Sequence, residues 1–325
     1  MKFSSYWPEL RSKMSNDLIK SEFFVSYRNE GAPNRFALLD AGQLPRAIYA
    51  DLRRKISGCV NLFALTREHS IAEYGPILVP IHENINRHDT AALLRTMRYG
   101  WAISWLSSYL SLDELANHLA GHLNGHLANG DDVLVRYYDP RLLPRFLSDN
   151  LLTYTRPLIQ PICNWAWWDR AMRLVVYKGD GEKKSPGVTS TIISEEMRAE
   201  MAAFALGDYI HAQLLSGAEN EEFSGWLPHM ISNAVFAQIK KARSLGLSLL
   251  PDIQLYTSLS LRIHPRFFEL SPLFLTNSES LRRGQVNMAM LTIAVDDKEW
   301  TRLGLSGQAE IEEIRVALGQ KLCTQ

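Results

Sequence analysis

Hydrophobic positions in the first half of the chain fall in short unbroken runs separated by stretches of helical spacing. Phe36-Ala37-Leu38-Leu39 predicts a strand that stops at Asp40, and a turn containing Gly42 and Pro45 leads from it into a helix. Val60 to Leu65, Ile77 to Ile81 and Val133 to Tyr137 predict three more strands, and Asp113 to Leu127 carries the apolar spacing of a helix. Alternation of this kind predicts an α/β lobe, a mixed sheet with flanking helices. After the last run, Asp139-Pro140 suits a helix start, because Asp accepts orphan N–H groups and Pro is tolerated at the first helical position.

The polar, glycine-bearing stretch from Lys178 to Gly187 has nothing to bury and ends in two breakers, which reads as the lobe boundary or as a long hairpin loop close to it. Beyond it the pattern turns helical. Ser194 can cap a helix with Glu195 and Glu196 in its first turn and Met197, Met201, Phe204, Ala205, Ala212 and Leu215 along one face. Ile231, Val235, Ile239 and Ala242 form a second stripe, and Pro251-Asp252 opens a further helix through Ile253, Leu255 and Leu259. The expected organisation is an α/β lobe over residues 1–187 followed by a mainly α-helical lobe over 188–325.

Composition narrows the function classes. Lys plus Arg and Asp plus Glu stand at 35 each, so no global field favours nucleic acid or an anionic membrane. Cys59, Cys163 and Cys323 are odd in number and widely separated, which fits a reducing cytoplasm better than a disulfide framework. No apolar run approaches the twenty residues of a membrane span, and Met1 to Ser15 lacks the continuous apolar stretch of a signal peptide.

Candidate chemistry is thin. His118, His122 and His126 recur at a spacing that on a helix sets imidazoles on one side, so a metal-dependent hydrolase that uses His118 and His122 with Asp131 or Asp132 is the alternative function. The flanking residues argue against it: Leu119 stands where a zinc protease carries Glu, and Gly121 and Gly125 weaken the helix. Asp131 and Asp132 beside Gly130 read as a turn rather than a calcium loop. No GxSxG elbow, phosphate loop or dinucleotide fingerprint is present, and no metal or cofactor is expected. The cluster Trp165, Trp167 and Trp168 suits core packing, the preferred reading, or a partner interface.

Four motif blocks carry a family resemblance. Phe36 to Gln43 resembles an opening strand with its Asp-x-x-Gln turn, Asp40 to Gln43, and Tyr74-Gly75-Pro76-Ile77-Leu78-Val79 resembles a Gly-Pro-x-Leu-Val segment. Gly100-Trp101 followed by Ser104 is similar to a third block, and Arg136-Tyr137-Tyr138-Asp139-Pro140-Arg141 to an Arg-Phe-Tyr-Asp-Pro-Arg run. In this order they resemble the type VI secretion effector adaptor family, the Tap or TEC chaperones, formerly a domain of unknown function. At His118-Leu119-Ala120 the family often has His-Leu-Arg, so His118 reads as a structural family position without the arginine. Ala242 to Leu247, Pro251-Asp252-Ile253 and Phe267 to Pro272 resemble the family's helical lobe more loosely.

The resemblance implies a non-catalytic cytoplasmic protein of a Gram-negative bacterium that binds one cognate toxic effector and helps load it onto the VgrG spike. It implies no nucleic-acid partner and no membrane insertion, and an effector segment would lie between the two lobes. Asp40, Gln43, Gly75, Pro76, His118, Asp139, Pro140 and Arg141 are then expected to be structural. Trp101, Arg136, Tyr138, Trp165, Trp167 and Trp168 are the candidate partner-binding residues, with an internal acidic partner the favoured alternative for Arg136.

Overall fold

The computed structural model describes residues 31–55, 58–81, 93, 96, 102–147, 152–169, 173–185, 191–216, 223, 226 and 228–323. They form two compact units, one ending at Met201 and the other beginning at Ala202, whereas the sequence pattern puts the lobe boundary at 187. An α/β unit is followed by a helical one.

In the first unit β1 (Asn34–Asp40) leads through a single 3-10 turn into α1 (Arg46–Lys55), as the pattern predicts. The second run is a strand only at β2 (Val60–Asn61). The Asn61 side-chain oxygen accepts the backbone N–H groups of Phe63 and Ala64, at 3.0 and 3.3 Å, and this local turn ends the strand where hydrophobicity alone would continue it. Two 3-10 segments, Phe63–Leu65 and Arg67–Tyr74, then lead to β3 (Pro76–Ile81). After β4 (Ile103–Ser108), Ser111 and Glu114 close a reciprocal capping box on α2 (Leu112–Gly121).

The helix expected to run to Leu127 stops at Gly121, and β5 (Asn124–Leu127) pairs with β6 (Asp132–Leu134). The run expected to reach Tyr137 as a strand likewise ends at Leu134, and the Tyr137 hydroxyl donates to the Leu119 carbonyl oxygen of α2 at 2.6 Å. The following helix does not begin at Pro140. Residues 139–142 form a turn, and α3 (Leu143–Phe146) starts after it. Next come α4 (Leu152–Ile159), β7 (Ile162–Trp168), β8 (Leu174–Lys178) and β9 (Thr191–Ile193).

The main sheet has the order β2-β3-β1-β4-β7-β8, and every neighbour pair in it is antiparallel. Mixed pairing occurs in the small sheet, where β5 lies between antiparallel β6 and parallel β9. Both faces of the main sheet are covered, which explains why its strands read as continuous rather than alternating apolar runs. One face packs Phe36, Leu38, Leu106, Trp165 and Trp167 against Leu115 and Leu119 of α2, and the other packs Leu39, Val79, Ile103, Trp105 and Trp168 with Leu52 of α1.

Helix α5 (Glu195–Ser216) opens on Ser194, whose hydroxyl accepts the Met197 N–H at 3.2 Å. Its apolar stripe differs from the expected one. Met197 and Met201 join the core of the first unit, while Leu206, Ile210 and Leu214 join that of the second, and Ala205 and Ala212 are exposed. In the second unit Ile231, Val235, Ile239 and Ala242 of α6 (Pro228–Ser244) are buried as the pattern requires. They share one core with buried residues of α7 (Leu250–Arg262), α8 (Phe267–Leu270), α9 (Pro272–Thr276), α10 (Ser278–Arg282), α11 (Met288–Ala294) and α12 (Asp297–Cys323). Tyr256, Phe267, Phe268, Phe274 and Trp300 pack edge-on or tilted at the centre. Buried Asp252 accepts the Met288 N–H at 2.9 Å and so ties α7 to α11. Gly307 lets α12 approach its neighbour, since a Cβ there would lie 1.9 Å from the Ile263 carbonyl oxygen.

Candidate functional site

Three of the motif blocks converge at one end of the main sheet, and Gly100 and Trp101 of the remaining block lie outside the described residues. Asp40 closes β1 and sits opposite Pro76, the first residue of β3, while its N–H donates to Ala102 just before β4 at 2.8 Å. The Asp40 carboxylate is buried and accepts three donors: the Gly42 N–H at 3.1 Å, the Gln43 side-chain amide at 2.9 Å and the Arg136 guanidinium at 2.8 Å. Burial raises the Asp40 pKa above the ordinary carboxylate value, and the charge of Arg136 opposes that shift.

Arg136 therefore has the internal acidic partner favoured from sequence, and it also lies 3.5 Å from Asp139. It remains half-exposed, with its guanidinium carbon 5.7 Å from the centre of the Tyr138 ring. Asp139, also buried, accepts a fork from Arg141 at 2.9 and 2.7 Å, as well as the Arg141 N–H at 3.0 Å. Its neighbour Pro140 is buried in the same turn.

Phe63, which belongs to none of the blocks, joins them. Its ring meets Tyr138 edge-on with centroids 6.3 Å apart, and a Cβ on Gly75 would sit 2.5 Å from it, so only glycine fits there. Asp40, Gln43, Gly75, Pro76, Asp139, Pro140 and Arg141 thus lie in one continuous set of turns, caps and close contacts.

The candidate partner residues are placed unevenly. Tyr138, Trp165, Trp167 and Trp168 are buried, so they offer a partner no open contact area. The Trp165 indole N–H donates to Ser104 at 3.0 Å, and burial together with Asp40 pushes the Tyr138 hydroxyl up to about 12. Trp101 lies outside the described residues. Of the six, Arg136 is the one the structure places at the surface.

The three histidines do not share a helix face. His118 is buried on α2 and bridges Leu158 and Ser185, its Nε2 2.9 Å from the Leu158 carbonyl oxygen and its Nδ1 2.9 Å from the Ser185 hydroxyl. Donation to a carbonyl requires the proton on Nε2, which leaves Nδ1 to accept from Ser185. His122 caps the end of α2, meets the His118 ring edge-on at 4.8 Å, and has its pKa lowered to about 4 by burial and then by His118. His126 lies on β5, where its Nδ1 is 2.7 Å from Asp132, which also pairs with Arg67. Asp131 lies in the turn before β6. Among the described residues no group of three or more His, Cys, Asp or Glu is arranged to hold a metal ion.

Sequence reasoning missed the exposed surface beside this end of the sheet. Leu65, Ile71 and Tyr74 are 47%, 47% and 45% exposed on the two 3-10 segments, and Arg46 lies over the Tyr74 ring and donates to its hydroxyl at 2.6 Å. Leu65 ends an apolar run that reads as buried, while Ile71 and Tyr74 stand in the mixed polar stretch Arg67–Tyr74, which carries no strand or helix pattern that would mark a surface.

No described helix is long and apolar enough to cross a membrane. No curated protein and no solved structure matches the chain. Residues 35–151 match a family model described as a domain of unknown function, DUF4123, and this segment takes in all four motif blocks together with β1 to β6.

Proposed function

We propose that the protein is a non-catalytic adaptor that binds a cognate toxic effector and helps load it onto the VgrG spike of a type VI secretion system, acting in the cytoplasm of a Gram-negative bacterium. The observation that carries this reading is the state of the motif residues. Asp40 and Asp139 are each held by arginine and by backbone N–H groups, so the most distinctive run of the chain is committed to shaping a surface rather than to chemistry. The partner in this reading comes from the ordered resemblance of that run to the effector adaptors, and the family model matched around it is described only as a domain of unknown function.

The surface so shaped is amphipathic. Tyr74, Ile71 and Leu65 offer apolar area, and Arg46 and half-exposed Arg136 offer charge at its edge, a combination typical of protein recognition. The effector is expected to dock here. Co-purification with toxins encoded by neighbouring genes tests this: the wild-type protein retains one of them, and Tyr74→Ala combined with Arg46→Ala weakens retention by about tenfold or more while leaving the fold intact. Equal retention by the double variant would move the docking surface elsewhere, and retention of no toxin would remove the adaptor reading.

A further inference from the structure

In the helical unit, residues 245–252 are tied to residues 282–288 at both ends. The Arg282 Nε donates to the Leu245 carbonyl oxygen at 2.9 Å, and Asp252 accepts the Met288 N–H at 2.9 Å. Between those ties Leu249 and Leu250 stand at the surface, 53% and 54% exposed. Leu249 also occupies the N-cap of α7, and no side-chain hydrogen bond caps that helix. Ser, Thr, Asp or Asn there would accept an orphan N–H, so leucine gives up a cap and exposes apolar area at one position. A residue that breaks two local rules at once is expected where a surface serves binding.

The surroundings of this leucine pair are positively charged. Arg282 and Arg283 at the end of α10, and Lys240 and Arg243 near the end of α6, are exposed. The Gly246 N–H donates to the Arg243 carbonyl oxygen at 3.0 Å, and a Cβ on Gly246 would lie 2.7 Å from Arg282, so the two arginines flank one turn. Glu279 pairs with Arg283 at 2.9 Å and lies 3.6 Å from Arg282. Lys240 and Arg243 form no ion pair among the described residues. Within residues 240–252 and 279–290 the exposed cations thus number four and the exposed carboxylates one. Cations near helix C-termini complement the dipole, which accounts for part of this charge. It does not account for the exposed leucines beside it.

We propose that this surface docks an acidic segment of the spike protein, whose apolar residues cover Leu249 and Leu250 and whose carboxylates meet the arginines. Arginine forks bind carboxylates in pairs, and an apolar centre with an arginine-bearing rim is the anatomy of a protein interface. A membrane would be drawn chiefly by net charge, and the chain has none. The inference rests on the adaptor reading, which requires a second partner besides the effector. The effector surface proposed above belongs to the α/β unit.

The test measures binding of the full-length protein to the purified spike protein and, separately, to the effector between about 50 and 300 mM salt. Lys240→Glu combined with Arg243→Glu is the decisive variant, because neither residue holds an ion pair that the fold would lose. It is expected to weaken spike binding at least about tenfold at the lower salt and less at the higher, with effector binding unchanged. Leu249→Ser is expected to weaken spike binding while raising the midpoint of urea unfolding, because serine restores the missing cap. A purely structural role for Leu249 would not weaken binding in a protein made more stable. Spike binding that both variants leave intact overturns this inference alone, as does a wild type that holds the effector and not the spike protein. Retention of neither partner removes the adaptor reading and this inference together. Capture of the wild type but not the charge-reversed variant by vesicles of about 30% phosphatidylserine, in place of spike binding, assigns the surface to a membrane and overturns the proposal.

Discussion

Replacing Asp40 with alanine removes the acceptor of a guanidinium, a side-chain amide and a backbone N–H at once. Removing one partner of a buried pair costs about 3 kcal/mol, and Asp40→Ala is expected to lower the unfolding free energy by that order in urea titrations. Arg136→Ala is expected to cost less, about 1 kcal/mol, because the guanidinium is half-exposed and Asp40 keeps two donors. Equal losses would mean that the Asp40–Arg136 bond is the whole of the Asp40 role. Gly75→Ala tests the contact beneath: forcing a Cβ against the Phe63 ring is expected to cost about 1–3 kcal/mol. His122 makes stability depend on pH. Its pKa is lowered from 6.5 to about 4 by burial and then by His118. The neutral ring is favoured in the fold, so its contribution is complete above pH 6.5 and is lost as the pH falls toward 4. Between pH 7 and 4.5 the wild type is expected to lose about 2 kcal/mol more than His122→Gln, measured by urea unfolding at each pH.

At the scale of elements, what was legible from sequence divides by whether local chemistry agrees with hydrophobicity. β1 and β3 are continuous apolar runs ended by Asp40 and begun at Pro76, and both stand where the pattern puts them. α6 shows its stripe for the same reason. The failures are places where a side chain diverts the backbone. Asn61 folds a turn into an apolar run, and Asp139 captures Arg141 where a longer helix was expected. Gly125 continues not as helix but as strand, opposite Val133 and Thr191. α5 misled because its apolar positions serve two cores in succession, so no single face describes it. The candidate site was half legible. Its structural members were singled out by the family resemblance and assigned by turn and cap chemistry, whereas the tryptophans of β7 are buried on both faces of a sheet that is itself covered on both sides. The end of α2 offers an element-scale check: Ser111→Ala removes the capping box and is expected to cost about 1 kcal/mol.

For the whole molecule, the segment that matches the family model is not a complete sheet. It ends at residue 151, while β4 at the centre of the sheet needs β7 on its other side, with Trp105 opposite Ala166 and Leu106 opposite Trp165. A chain cut after Leu151 is therefore expected to unfold without a cooperative transition, by calorimetry or circular dichroism. The motif end of the sheet then has its shape only because later strands complete the layer behind it. An adaptor must hold two partners at once, and the most direct measurement mixes the purified protein with its effector and the spike protein and determines the mass of the assembly by light scattering. A species containing all three, which does not form when this protein is left out, is the expected result. An effector and spike that associate equally well without it, or a protein that binds neither, would contradict the adaptor function.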